Sequence, residues 1–158
     1  MASNTSKLFE FMSLVGQLKH VKRTGWVLKK VSDPESVADH MYRMAVLAFL
    51  VDPKTGLDRD KCIKLALVHD MAESIVGDLT PSDEVHKDEK SRREESSEEA
   101  KFVKDLDKFD MILQAHEYEQ LDKRPKQLQE FFDGTEGKFQ TEQVQGWVKE
   151  LNNIREKK

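Results

Sequence analysis

Apolar residues recur at three- and four-residue steps along almost the whole of this 158-residue chain, and nowhere alternate over more than four residues. That period commits the backbone to helices, because only a 3.6-residue turn brings positions i, i+3 and i+4 to one face. Leu8, Phe11, Met12, Val15 and Leu18 define a first inward face, on a helix expected from about Lys7 to His20. A connector holding Gly25 and Pro34 follows. Ser36 and Asp39 read as a capping box, in which hydroxyl and carboxylate each satisfy an orphan N–H. The helix they open turns Met41, Met44, Ala45, Ala48 and Val51 inward and stops at Pro53 to Gly56. Asp58 caps the next helix, whose centre from Cys62 to Val68 is apolar on most sides and is expected in the middle of the core. Beyond the breaks at Gly77 and Pro81, a helix from near Ala100 carries Phe102, Val103, Leu106, Phe109, Ile112 and Leu113. A short piece holds Leu128, Phe131 and Phe132, and Thr141 caps a last helix with Val144, Trp147, Val148 and Leu151 inward. The expectation is a single all-α domain over residues 1–158, a bundle of about six helices.

Composition narrows the function classes. With 26 Lys and Arg against 30 Asp and Glu, the net charge of −4 argues against a binder of polymeric nucleic acid, which needs clustered cations to displace counterions. The single cysteine, Cys62, allows no internal disulfide and suits a reducing compartment. Neither a signal-peptide core nor an apolar run of the ~18 residues a membrane span needs is seen, so a cytoplasmic chain is expected, with the nucleus also open to it. From His86 to Glu99 the sequence is nearly all charge and serine, and reads as a solvated, mobile stretch.

The chemistry is announced by polar groups where a helix should bury apolar ones. His69 and Asp70 follow directly on Leu65-Ala66-Leu67-Val68. A lone histidine there would be read as a hydrogen-bonded core residue, but a buried carboxylate beside it needs positive charge, and a metal ion supplies it. His40, in the first turns of its helix, and Asp107, four residues after Val103, are similarly out of place. Three helices could bring His40, His69, Asp70 and Asp107 together. Two imidazoles and two carboxylates suit Mn²⁺, Co²⁺, Fe²⁺ or Mg²⁺, with Zn²⁺ also admissible, and four protein ligands leave positions open for water and substrate. Glu73, four residues after His69, falls on the same face if the helix continues, where it could take a proton from metal-bound water. Asp78 sits where the chain turns after Gly77.

The run from Val68 to Asp78 resembles the HD-domain phosphohydrolases, and within them the 5'-deoxynucleotidases. Three further segments carry the resemblance: Arg23-Thr24-Gly25-Trp26, Glu35 to Met44, and Ala100 to Lys108. It implies hydrolysis of deoxyribonucleoside 5'-monophosphates with one divalent metal per chain held by His40, His69, Asp70 and Asp107. It further implies Glu73 as the catalytic glutamate, Asp78 as a second acidic catalytic residue, and Trp26 as a sugar-pocket residue that helps exclude a ribose 2'-OH. Where bacterial relatives place a phosphate-binding arginine immediately before that tryptophan, this chain has Gly25; Arg23, with help from Lys22, takes the phosphate in its place. A homodimer is implied as well. So is an additional helical stretch between the Arg92-Arg93-Glu94-Glu95 run and the Ala100 helix; only Ser96 to Glu99 stand there, and a segment of pocket wall or dimer surface is expected to be missing.

Two other readings fit the same residues: a helical interaction module with a structural metal site, and a phosphohydrolase acting on another nucleotide. Binuclear enzymes on this scaffold need more histidines between the doublet and the last aspartate, where this chain has only His86, so one ion is expected.

Overall fold

A computed structural model of the chain describes residues 4–78 and 97–157. Among these residues the architecture is all α, with no strands beyond one isolated bridge. The charged stretch of the sequence analysis lies outside the described residues except at its end, where Ser97 accepts from the Ala100 N–H and caps a helix that already contains Glu98 and Glu99.

Among the described residues, eight α-helices run in chain order: α1 (Asn4–Gly16), α2 (Thr24–Leu28), α3 (Val37–Ala48), α4 (Arg59–Val68), α5 (Glu73–Val76), α6 (Glu98–Leu121), α7 (Gln129–Thr135) and α8 (Glu142–Glu156). The excess over the expected number comes from α2 and α5, which are too short for apolar periodicity to reveal. The Ser36–Asp39 capping box is present in full, and Asp58 caps α4 by accepting from the Lys61 N–H.

Helices α3, α4 and α6 pack on one another, and α8 lies against α6. Their shared core is built on Met44, Ala48, Cys62, Ala66, Phe102, Leu106, Ile112, Ala115 and Val144, with Trp26 joining it from α2. The expected inward faces of α3 and α6 are therefore real. Those of α1 and α4 are only partly so. In α1 no residue is buried, and Leu8, Phe11 and Met12 are each at least half exposed; only Leu18, in a 3-10 turn after the helix, reaches the interior. In α4, Cys62 and Ala66 are buried but Leu67 and Val68 face out. Periodicity locates an apolar face; it does not say that this chain covers it.

The start of α8 departs from expectation in an instructive way. Thr141 precedes the helix but makes no side-chain cap. Asp105, fully buried on α6, instead holds the residues just before the helix: its Oδ2 accepts from the N–H groups of Gln140 and Thr141 and from the Thr141 hydroxyl, at 2.7–2.8 Å. Lys108 Nζ lies 2.9 Å from its other oxygen. The C-terminal helix is thereby tied to the middle of the long one.

Candidate metal centre

The residues singled out from sequence converge where the N-terminus of α3, the end of α4 and the middle of α6 meet. The stretch before α3 sets the geometry: Lys22 and Ser36 form the isolated antiparallel bridge, with Arg23 N–H donating to Glu35 O at 3.1 Å and Val37 N–H to Val21 O at 2.9 Å. That pairing places Arg23 beside the first turn of α3, where His40 is fully buried.

His40 Nε2 lies 3.2 Å from Asp107 Oδ1 and 3.8 Å from Asp70 Oδ2, and His69 Nε2 lies 3.0 Å from the same Asp70 oxygen. One ligand atom each from His40, His69 and Asp107 falls within 4.8 Å of the others. Both Nε2 atoms are buried and, among the described residues, make no hydrogen bond. Their opposite nitrogens are anchored, His40 Nδ1 at 2.7 Å from Asp110 Oδ2 and His69 Nδ1 at 2.9 Å from Ala66 O. Two buried imidazole nitrogens without partners, aimed at carboxylates, are costly unless something cationic sits between them. The donor set, two histidine nitrogens and carboxylate oxygens, suits a divalent transition metal or Mg²⁺.

The electrostatics tell the same story. Burial works against a charged His40, but the close carboxylates of Asp107 and Asp110 overcome it and raise its pKa to about 9. Burial likewise opposes ionisation of Asp107, yet the nearness of His40 and the charge of Arg23 bring it down to about 2. A cluster so eager for a proton on its histidine is one that lacks positive charge.

Arg23 supplies part of that charge. Its guanidinium stands 3.4 Å from Asp70, 3.4 Å from Asp78 and 3.9 Å from Asp107. Lys22 does not share the task, since its ammonium donates to Pro34 O at 2.7 Å. Asp78 closes the site from the other side: its carboxylate accepts from the Thr24 N–H at 2.5 Å, capping the start of α2, and its carbonyl accepts from the Thr24 hydroxyl. Glu73 is nearly buried, and desolvation together with the charges of Asp70 and Asp78 pushes its carboxyl up to about 8.

Two expectations need adjusting. Glu73 does not share a helix with His69: α4 ends at Val68, the chain turns through residues 69–72, and Glu73 opens α5, its N–H donating to Asp70 O at 3.0 Å. The turn, and not an unbroken helical face, brings it to the cluster. Trp26 is 1% exposed, packed at 4.5 Å between ring centroids against Phe131 and edge-on to Tyr118. Its indole N–H donates to Glu35 Oε1 at 2.9 Å. The tryptophan thus supports a glutamate next to His40 and offers almost no surface to a sugar.

Sequence reasoning missed the layer behind the cluster. Glu35 and Asp110 each place an oxygen within 4.8 Å of a His40 nitrogen, and Arg43 pairs with Asp110 and Glu117. The available signal was Asp110, an acid one turn after Asp107 on the apolar side of α6.

Comparison with known proteins finds relatives along almost the whole chain. The chain is 50% identical over 176 residues to the 5'-deoxynucleotidase HDDC2 of Mus musculus, covering 94% of this chain and 88% of that one. The 5'-deoxynucleotidase hdd1 of Schizosaccharomyces pombe is 38% identical over 189 residues, covering 98% and 93%. A conserved hypothetical protein from Pyrococcus furiosus superposes with a TM-score of 0.75 at 32% identity, over 95% of this chain and 99% of that structure. An alignment of 176 residues that uses 94% of 158 leaves about 27 positions of the mouse protein without a counterpart here. The model of the HD domain matches in two stretches, residues 15–98 and 93–147, which meet where the sequence analysis expects a missing segment. On this evidence the chain belongs to the HD-domain family.

Proposed function

We propose that this chain is a metal-dependent phosphomonoesterase that hydrolyses deoxyribonucleoside 5'-monophosphates to deoxynucleoside and phosphate. The observation that carries the reading is the pair of buried, unpartnered Nε2 atoms of His40 and His69 facing Asp70 and Asp107, with a guanidinium beside them. Relatives carrying a 5'-deoxynucleotidase name at 38–50% identity support the substrate class.

In this reading His40, His69, Asp70 and Asp107 hold one divalent ion, chosen from Mn²⁺, Co²⁺, Mg²⁺, Fe²⁺ or Zn²⁺. The ion supplies a more acidic water and withdraws charge from a phosphoryl oxygen. Glu73, whose nearly buried carboxylate faces the same acids as the ion, accepts the proton of the attacking water. Arg23 is within reach of the ligand carboxylates and pairs with phosphate oxygens. Asp78 holds Arg23 and the start of α2 in place, and its role toward substrate is to bind the sugar or to assist proton transfer to the leaving 5' oxygen. Trp26 supports Glu35, beside His40, through its indole N–H, its own ring being covered.

The chain is proposed to work as one domain in the cytoplasm or nucleus; among the described residues no helix is long and apolar enough to cross a membrane. A homodimer is proposed as well, with the uncovered face of α1, where Phe9 and Met12 are 64% and 60% exposed, as its contact surface. Phosphate release from matched ribo- and deoxyribonucleoside monophosphates, measured across several divalent metals, tests the reading. Metal-dependent release from the deoxy series, abolished in His69→Ala with helicity intact by circular dichroism, is the expected result. A metal-loaded sample that releases no phosphate from any of them would favour a structural metal site.

A further inference from the structure

The side chain that orients His40 meets its ring at the nitrogen turned away from Asp107 and Asp70. Asp110 is fully buried on α6, one turn beyond Asp107. Its Oδ2 stands 2.7 Å from His40 Nδ1, while its Oδ1 receives the Arg43 Nε–H. Arg43 also donates to the Asp110 carbonyl at 3.3 Å and to Glu117 Oε2 at 2.7 Å. With the Arg43 Nε–H donating to its other oxygen, Asp110 stands as a hydrogen-bond acceptor, so the contact with the ring is Nδ1–H to Oδ2. That leaves Nε2 as the ring nitrogen turned toward Asp107 and Asp70, buried and without a hydrogen bond.

We infer that Asp110, clamped by Arg43, is the positioning residue that fixes His40 with its proton on Nδ1 and aims Nε2 at the ion. This inference rests on the metal reading above. A buried Arg–Asp pair could exist for packing alone, but such a pair has no need of a histidine whose far nitrogen is left bare among carboxylates. The two imidazoles are also unequal: His69 leans on the neutral carbonyl of Ala66, His40 on a charged carboxylate. The anionic partner makes His40 the more electron-rich ligand, and losing a partner of that kind typically weakens metal binding ~10–100-fold. Arg43 pairs with Asp110 and offsets its charge inside the fold.

The test uses the full chain stripped of metal, titrated with Mn²⁺ by calorimetry, with NMR of the zinc-loaded protein. The wild type is expected to bind about one ion per chain and to show a slowly exchanging, downfield His40 Nδ1–H resonance. In Asp110→Asn the affinity falls at least tenfold and that resonance moves upfield or is lost. Asp110→Glu, which restores the charge, recovers both in large part. If Asp110→Asn does not fold, the pair Asp110→Asn with Arg43→Gln, which replaces the ion pair by an amide pair, carries the same comparison. Unchanged affinity and an unchanged Nδ1–H signal alongside a lowered melting temperature would make Asp110 merely structural and overturn the inference. Wild-type protein that takes up no divalent ion would overturn the metal reading and this inference with it.

Discussion

Replacing His69 by alanine separates the metal centre from the fold that holds it. His69 is the C-cap of α4, a fifth exposed, with one hydrogen bond to Ala66 O, an approach to Asp70 and an edge-on contact with the His40 ring at 5.4 Å between centroids. Its loss should cost the metal-free protein only about 1 kcal/mol. A 158-residue chain unfolds with an entropy near 0.33 kcal/mol/K, so that cost lowers the melting temperature by about 3 °C. Metal acts on the wild type through mass action: at 100 times its dissociation constant an ion adds about 2.7 kcal/mol, or roughly 8 °C. A variant that binds 100-fold more weakly gains about 0.4 kcal/mol at the same concentration, roughly 1 °C. Melting curves by circular dichroism, with and without Mn²⁺, read both numbers. An equal upward shift in wild type and His69→Ala would mean that the ion sits elsewhere, and the convergence of histidines would lose its explanation.

Other expectations follow from single contacts. Glu119, almost wholly buried, is bridged twice by Arg155, at 2.8 Å from both Nε and NH2. Burial alone would raise its pKa, but the Arg155 hydrogen bonds lower it below its ordinary 4.5. A carboxyl depressed on folding contributes stability above its unfolded pKa and loses it as pH falls through the folded value. Glu119→Gln should therefore cost about 3 kcal/mol at pH 7, with the gap to wild type narrowing in melts taken below pH 4.5. Asp105→Ala strips three donors at the start of α8 of their acceptor and should cost at least 2 kcal/mol, read in urea unfolding. Charging the open face of α1, as in Phe9→Glu with Met12→Glu, should leave the melting temperature within a few degrees and turn a dimer into a monomer by light scattering. A monomeric wild type would remove that contact surface from the proposal.

How much of this was legible in the sequence depended on where each partner lay. His69 and Asp70 betrayed themselves by following four apolar residues, and His40 and Asp107 by interrupting apolar stripes; in each case the anomaly is local to the helix. Asp58 and the Ser36–Asp39 box were readable for the same reason, since a cap and its N–H are three residues apart. Asp110, Asp105 and Glu119 were not, because their partners His40, Thr141 and Arg155 stand 36 to 70 residues away. Glu73 was assigned to the right neighbourhood through the wrong geometry, a turn having replaced the presumed helix. The outer faces of α1 and α4 mark another boundary: spacing groups residues on one side but is silent on what covers that side.

The placement of Arg23 carries a consequence for how the centre fills. Its guanidinium leans on Asp70 and Asp107, two of the carboxylates that an ion would claim. On the proposed reading, a loaded centre loosens the arginine's hold on those acids and leaves it freer to grip an anion. Linkage makes such a relation run both ways, so phosphate and metal should each tighten the other, and the empty protein should be a poor phosphate binder despite owning the residue for it.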